Sequence, residues 1–306
     1  MSHAYRLSAL KLESDLDLPE LMPWDGPDDA SADLVFRLGK VPARLEAPDH
    51  VTPVFQTRGR AEYLLTLPGT GRILVQDGRK VTIDPEPAAD PTDTLALLTG
   101  TIQAVLWHQR GLLPLHACIL AVDGRAMALA GPSASGKSTV AAMLSAMGHG
   151  VMADDIGVID ARDGADIKVL PISPRLRLWR DALDHLGIKA EGLRRALSAK
   201  EQFLVDRRAG SVRDPRKLAA VMVLLRRSSG ALSIERLHGA LAVGALRDVV
   251  HTRRPARALG RDPAIFAALT RAVAAGVTVW RLRVPDDPAR LGEAAAMALT
   301  ALEARH

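Results

Sequence analysis

Residues 131–139 read GPSASGKST, between the apolar runs AMALA and VAAMLSAM. The stretch matches the pattern G-x-x-x-x-G-K-[ST] of a phosphate-binding loop at Gly131, Gly136, Lys137 and Ser138. Glycines let successive backbone N–H groups point at one anion, and a helix after the loop adds the positive end of its dipole. Because the flanking runs predict a strand before the loop and a helix after it, we expect a triphosphate site here.

All nine residues of this stretch form the predicted nucleotide-binding set: Gly131, Pro132, Ser133, Ala134, Ser135, Gly136, Lys137, Ser138 and Thr139. Lys137 is expected to reach the β and γ phosphates, and Ser138 to ligate Mg²⁺, so the expected cofactors are ATP and Mg²⁺. The loop alone does not select a reaction, because transporters, GTPases, motors and kinases share it. The sequence has no NKxD-like guanine-reading segment and no LSGGQ-like signature, which disfavours GTPases and transporter ATPases.

Two adjacent aspartates follow the loop. Asp154 and Asp155 lie in VMADDIGVID (151–160), which we interpret as one buried strand, and Asp154 is 17 residues after Lys137. One carboxylate can hold Mg²⁺ while the other accepts a proton from an attacking hydroxyl. The alternative is a charged turn after a strand.

A histidine precedes the loop. LHACILAV (115–122), the turn Asp123-Gly124 and the strand RAMALA (125–130) predict a β-hairpin that brings His116 beside the loop. His116 can contact phosphate or assist proton transfer. The alternative is a hydrogen-bonded core histidine.

The chain is predicted to form two parts, a β-rich N-terminal domain at 1–90 and a catalytic domain at 91–306. Strands at 61–68 and 71–84, the latter a hairpin turning at Asp77-Gly78, precede a linker at 85–93. Apolar spacing then predicts a helix from Thr92 or Asp93 to Gln109. The later predicted elements are a short helix in RLRLWRDALDHLG, a core strand at 217–227, a helix at 262–276, a strand at 277–284 and a last helix starting at Asp287-Pro288.

Composition restricts the cellular location and the partners expected for the protein. The 306 residues carry a net charge of +5 and a single cysteine, Cys118, and no apolar stretch reaches membrane-spanning length. Charged residues interrupt the N-terminal segment, so we expect no signal peptide. We therefore expect a cytoplasmic protein with no membrane partner. The basic excess lies in LRRAL, VDRRAG, LLRRSSG and HTRRPARALGR, between residues 193 and 261. Because no aromatic residues are interleaved there to stack on bases, we interpret these runs as solvated faces and expect no nucleic-acid partner.

Taken as a unit, LHACILAVDGRAMALAGPSASGKSTVAAMLSAMGHGVMADDIGVID resembles the catalytic core of HPr kinase/phosphorylase and its relatives. The resemblance covers residues 106–160 and continues weakly to the C-terminus. It implies an α/β fold with a mixed sheet, a P-loop kinase core of the HPr kinase and phosphoenolpyruvate carboxykinase type. It also implies an ATP-dependent serine kinase, with the homo-oligomeric assembly common in the family.

The resemblance assigns roles to five residues. Asp155 matches the general base, Asp154 its acidic neighbour at the metal and His116 the active-site histidine, while Lys137 and Ser138 match the phosphate lysine and the Mg²⁺ ligand. Thr139 stands where the family commonly has an acidic residue, and its C-terminal signature is missing after residue 200. These departures, together with QRGLLPLHA before the loop, make the chain more similar to the divergent branch that phosphorylates lasso-peptide precursors.

The function expected from the sequence is therefore transfer of the γ-phosphoryl group of ATP to a hydroxyl of a peptide or small protein. The alternatives are a kinase for a small hydroxylated metabolite and an ATP-binding sensor without transfer activity. A later basic residue is expected to stabilise the developing charge, and the candidates are Lys200, Arg253 and Arg254, the last two in a predicted loop. Each is also interpretable as an ordinary surface charge.

Overall fold

The chain is a mixed α/β protein with two large sheets, seen in a computed structural model that describes residues 2–164, 166–207, 212–227 and 230–304. The strands are β1 (His3–Leu7), β2 (Leu10–Ser14), β3 (Met22–Pro23), β4 (Leu34–Leu38), β5 (His50–Val51), β6 (Phe55–Arg58), β7 (Glu62–Leu67), β8 (Gly71–Gln76), β9 (Lys80–Pro85), β10 (Leu113–Val122), β11 (Arg125–Ala130), β12 (Gly150–Ala153), β13 (Ile156–Asp160), β14 (Lys168–Leu170), β15 (Arg175–Trp179), β16 (Gln202–Asp206), β17 (Arg216–Arg227), β18 (Ser233–Leu237) and β19 (Thr278–Pro285). The helices are α1 (Pro91–Leu97), α2 (Gln103–Gln109), α3 (Lys137–Ala146), α4 (Arg180–His185), α5 (Gly239–Asp248), α6 (Arg253–Ala258), α7 (Asp262–Ala274) and α8 (Leu291–Glu303).

The first sheet contains β1 to β9 in the order β3-β1-β2-β4-β9-β8-β7-β6-β5. The strands predicted at 61–68 and 71–84 are confirmed as β7, β8 and β9. The turn between β8 and β9 has φ of 54° at Asp77 and 60° at Gly78, the left-handed values that a tight hairpin turn needs.

The helix predicted from Thr92 or Asp93 to Gln109 is interrupted. It begins at Pro91 with Asp90 as its N-cap, whose carboxylate accepts from the Thr92 N–H, so the predicted N-cap was two or three residues late. A π-helical segment, Leu98–Ile102, then separates α1 from α2, with non-helical angles at Gly100. Apolar periodicity does not detect such a break, because the side chains before and after it still face one core.

One apolar core runs through the first sheet and the segments that follow it. Tyr63 of β7 and Trp107 of α2 belong to the same cluster of buried side chains, as does Leu115 of β10. The division of the chain into domains at 1–90 and 91–306 stays a prediction, since this shared core gives the N-terminal sheet extensive contact with the rest of the chain.

The second sheet carries helices on both faces. Its order is β11-β10-β13-β14-β17-β19-β18, and β17 is parallel to both β11 and β19, while β10 pairs antiparallel with β11. Alternate side chains of β11 point to opposite faces: Ala128 lies in the core with α5 and α7, and Leu129 in the core with α3 and α8. The predicted hairpin at 115–130 is confirmed, with φ of 48° at Asp123 and 75° at Gly124.

The segment 151–160 is two strands rather than the one predicted. β12 and β13 both pair with β10, and the chain breaks between them at Asp154 and Asp155, where Asp155 has φ of 67°. β10 shifts register at Ile119/Leu120 opposite the break. The apolar pattern continues on both sides, so the sequence predicts one strand, whereas the pairing places the two aspartates in a bend.

The later predicted elements are confirmed with small changes at their ends. They are α4, β17, α7, β19 and α8, the last preceded by a 3₁₀ turn at Pro288–Arg290 that Asp287 caps. Arg253 and Arg254, predicted in a loop, form the first turn of α6. Of the basic segments, residues 208–210 and 228–229 lie outside the described residues. In the described ranges the longest helices, α7 and α8, have 13 residues each, too few to cross a membrane.

We expect Trp107→Ala to lower the free energy of unfolding by about 3–5 kcal/mol, because the Trp107 side chain is buried and its removal leaves a cavity. Urea denaturation measures the change. The matched control is Trp179→Ala, since Trp179 is 39% exposed and its loss is expected to cost below about 1 kcal/mol. Equal losses in the two variants would contradict this description of the core.

Candidate active site

The loop between β11 and α3 has a backbone shape that only glycine fits at its first position. Gly131 has φ of 146°, and a Cβ there would lie 2.4 Å from the Leu224 carbonyl oxygen of β17. Gly136, with φ of 92°, is the residue before the first turn of α3. The initial N–H groups of α3 have no partner within the helix, and they face the loop. The strand, loop and helix predicted from the sequence are therefore present in that order.

Lys137 is folded back over the loop. Its ammonium donates to the Gly131 carbonyl at 2.9 Å and to the Pro132 carbonyl at 2.8 Å, and the side chain is buried. Burial lowers the pKa of Lys137, against the raising effect of nearby acidic groups. An ammonium has three donors, so one remains for a phosphate oxygen. The hydroxyl of Ser135 in the same loop is buried without a hydrogen-bond partner, which fits a loop that binds an anion.

Asp154 lies next to Ser138, its predicted companion at a metal. Ser138 Oγ is 3.1 Å from Asp154 Oδ1, while Asp154 Oδ2 accepts from the backbone N–H of Arg177 at 2.6 Å. The Cys118 thiol, whose pKa is raised by burial and by Asp154, also donates to Asp154 Oδ1. Burial is the main cause that raises the pKa of Asp154.

These residues fit Mg²⁺ only together with a nucleotide. Among the described residues no group of three or more His, Cys, Asp or Glu side chains is placed to hold a metal ion. Mg²⁺ commonly binds through one or two carboxylates plus substrate phosphates and water. Ser138 and Asp154 can supply the protein part of such a site, and both already lie beside the loop.

Asp155 is held between two partners. His116 Nε2 lies 3.2 Å from its Oδ1, and Arg177 Nη1 lies 3.3 Å from its Oδ2. Burial raises the pKa of Asp155, but the hydrogen bond from His116 and the charge of Arg177 outweigh it and lower the pKa overall. Asp155 is therefore an ionised carboxylate, 29% exposed, on the wall of the cavity next to the loop.

Two further histidines lie near this pair, His251 against the ring of His116 and His108 bonded to His251. The rings of His116 and His251 meet edge to face with centroids 5.6 Å apart. The His251 carbonyl accepts from His108 Nε2 at 2.9 Å, and burial lowers the pKa of both His108 and His251 to about 4. Both side chains are therefore neutral at pH 7 and add no charge to the site.

Sequence reasoning missed two charged residues of the site. Arg177 of β15 contacts Asp155 through its side chain and Asp154 through its backbone, and Glu20 in turn pairs with Arg177. RLRLWR was interpreted only for its neighbouring helix, and no motif marks Glu20. The contacts of Arg177 with the aspartates and with Glu20 join segments that are separate in the chain. Local residue spacing therefore does not reveal them.

A cavity of about 810 Å³ opens over the loop. Its lining includes most of the predicted nucleotide-binding set, from Ser133 to Thr139, together with Asp154, Asp155 and His116. Gly131 and Pro132 line a neighbouring cleft of about 510 Å³ instead, and His116 lies on the wall of both.

The three basic candidates are placed differently. Lys200 lines the larger cavity, with its ammonium 5.8 Å from the Trp179 ring centre. Arg253 pairs with Asp248 at 3.2 Å on the surface, and Arg254 is exposed. Neither arginine lines the cavity over the loop. Arg177 is the cation that the structure brings to the aspartates.

The chain is distantly similar to a solved structure. No protein-family model matches the chain, and no curated protein sequence matches it. The HPr(Ser) kinase/phosphatase from Coxiella burnetii is a solved structure similar to this chain, with 12% identity and a TM-score of 0.33, covering 63% of this chain and 99% of that one. At this identity and TM-score, membership of the HPr kinase family stays a prediction.

We expect His108→Gln to make stability less dependent on pH. Because burial lowers the pKa of His108 from 6.5 to about 4, the unfolded state binds more protons between these values. The free energy of unfolding therefore falls as the pH drops from about 6.5 towards 4, and the variant loses this part of the decrease. Urea unfolding at several pH values measures it, with His238→Gln at an exposed position as the control. An unchanged slope in His108→Gln would contradict the assignment.

Proposed function

We propose that this protein is an ATP-dependent kinase that transfers the γ-phosphoryl group to a hydroxyl, that of serine in the simplest case, of a peptide or small protein. The observation that carries the proposal is the position of Asp155. It is an ionised carboxylate beside a loop of the phosphate-binding pattern, with His116 and Arg177 fixing its two oxygens. A sensor that only binds ATP does not need a carboxylate that can accept a proton at this position.

The loop and its neighbours supply the nucleotide site in this proposal. The backbone N–H groups and Lys137 hold the β and γ phosphates, and Ser138 and Asp154 hold Mg²⁺, which neutralises phosphate charge when bound. The cavity of about 810 Å³ falls in the range of pockets that enclose small ligands, about 300–1,000 Å³. Of the three basic candidates, Lys200 is the one that lines this cavity, and we assign it a contact with the bound nucleotide.

The transfer step needs a base on the acceptor side of the γ-phosphorus. The acceptor oxygen forms a bond to phosphorus, the bond from phosphorus to the β,γ-bridging oxygen breaks, and ADP leaves with that electron pair. The hydroxyl proton moves to Asp155. Each of its oxygens accepts one hydrogen bond and keeps a second lone pair for this proton. Lys137 and Arg177 offset the negative charge around the reacting group.

The acceptor reaches Asp155 through the second cleft in this proposal. This cleft shares His116 with the nucleotide cavity and lies on the Gly131 and Pro132 side of the loop. Its other wall is one face of α5: Ala240, Leu241, Gly244, Ala245 and Asp248. The face is mostly apolar and open, and Leu241 is 66% exposed. We infer that an apolar residue next to the acceptor serine packs here.

Within this class of acceptors, the sequence resemblance points to lasso-peptide precursors. A small-metabolite kinase would phosphorylate a free hydroxyl compound but no peptide, and a sensor would transfer to neither. Incubation with labelled ATP, Mg²⁺ and both kinds of acceptor separates the three functions. The cytoplasmic location and a homo-oligomeric state stay predictions.

We expect Lys137→Ala and Asp155→Asn to separate binding from transfer. Lys137→Ala removes a charged donor to phosphate and should weaken ATP binding about tenfold to a hundredfold. Asp155→Asn should bind ATP normally but lose about a hundredfold or more in transfer, because its amide accepts no proton. Calorimetric ATP binding and labelled transfer measure the two effects. Full transfer activity in Asp155→Asn would exclude Asp155 as the base.

We expect Gly244→Trp to block the acceptor and spare the nucleotide. A Cβ at Gly244 meets no atom within 4 Å, so a side chain can start there without a clash, and the indole would extend into the cleft. kcat/KM for a peptide acceptor should fall about tenfold or more, with ATP affinity unchanged. Arg247→Trp, at an exposed position of the same helix outside this cleft, is the matched control. Equal activity of the two variants would place the acceptor elsewhere.

A further inference from the structure

Glu20 comes from the N-terminal sheet, yet its backbone is fixed against the segment that carries Arg177. The residue lies between β2 and β3, two positions after Leu18, which is fully buried. The Leu21 N–H donates to the Leu18 carbonyl at 3.0 Å, and the Glu20 carbonyl accepts from Ser173 Oγ at 2.6 Å. Anchored on both sides, the Glu20 side chain has a defined direction.

The Glu20 carboxylate binds the guanidinium of Arg177 through both of its oxygens. Arg177 Nη2 lies 3.1 Å from Glu20 Oε1 and 3.0 Å from Oε2, and Arg177 Nε lies 3.2 Å from Oε2. The Thr99 hydroxyl closes the group, 2.7 Å from Arg177 Nη2 and 3.0 Å from Glu20 Oε1. The Glu20 and Arg177 side chains are only 12% and 13% exposed, so water screens this pair weakly.

The remaining nitrogen of the guanidinium points to the candidate base. Arg177 Nη1 is 3.3 Å from Asp155 Oδ2, so the planar group joins Glu20 on one edge to Asp155 on another. A guanidinium is rigid, and fixing one edge fixes the position of the other. Glu20 also shares the positive charge of Arg177, which limits how strongly Arg177 attracts the Asp155 carboxylate.

We propose that Glu20 is a positioning residue for phosphoryl transfer: by holding Arg177, it keeps Asp155 at the distance and with the charge balance that the transfer step needs. The N-terminal sheet thereby contributes to the active site, through a residue that bonds to Arg177. This inference rests on the proposed kinase function, because it names a further residue of that same site.

The test compares Glu20→Gln with Glu13→Gln. Glu13, in β2 of the same sheet, pairs with Arg37 at 2.9 Å, so its substitution removes the same charge from an ion pair away from the site. In Glu20→Gln, kcat for peptide phosphorylation should fall about tenfold or more, while the ATP dissociation constant changes no more than about threefold. Glu13→Gln should keep both values.

A double-variant cycle separates positioning from a loss of folding. If Glu20 acts through Arg177, then Glu20→Gln added to Arg177→Lys lowers kcat little beyond Arg177→Lys alone. Glu20→Asp, which keeps the charge, should recover part of the lost kcat. A thermal unfolding curve for each variant shows whether the chain is folded at the temperature of the assay.

Three results would overturn the inference: wild-type kcat in Glu20→Gln, an equal loss in Glu13→Gln, or independent effects of Glu20 and Arg177 in the cycle. The failure of the proposed function has a different signature. A wild-type chain that transfers phosphate to no acceptor removes the kinase function, and with it this inference, before any variant is compared.

Discussion

The site depends on the bend between β12 and β13, where Asp155 takes a left-handed conformation that a non-glycine residue rarely adopts. The bend turns two adjacent aspartates to different partners. Asp154 faces Ser138 at the loop, while Asp155 faces His116 and Arg177. In a regular strand, neighbouring side chains would point to opposite faces of the sheet, and one carboxylate would be lost from the cavity. The strain is offset by the ion pair and hydrogen bonds around Asp155.

Three parts of the chain converge on that bend. The hairpin of β10 and β11 brings His116 beside the loop, β15 brings Arg177, and the N-terminal sheet brings Glu20. The environments of the two aspartates also push their pKa values apart, since burial raises the pKa of Asp154 while His116 and Arg177 lower that of Asp155. Such a separation between neighbouring carboxylates allows them to serve different roles, one at a metal and one as a base.

Local signals predicted much of this from the sequence. The Asp-Gly turns at 77–78 and 123–124 and the loop at 131–139 were predicted because each depends on a few adjacent residues. The bend at Asp155 was not, since the apolar residues around it continue the pattern of a single strand. Glu20 and Arg177 are 157 positions apart, and their contact follows only from how the N-terminal segment packs against the hairpin of β15 and β16. The roles of Asp154, Asp155 and His116 stay predictions, although the fold brings them together.

The central claim is that a phosphoryl group leaves ATP for an acceptor hydroxyl at Asp155. Phosphorus NMR follows it directly, because ATP, ADP, inorganic phosphate and a phosphate monoester give separate signals in one sample. With the wild-type chain, Mg²⁺, ATP and a panel of serine-containing peptides, we predict that a monoester signal grows in equal amount with ADP. Bound ATP that persists unchanged, or ADP accompanied only by inorganic phosphate with every peptide, would contradict the account.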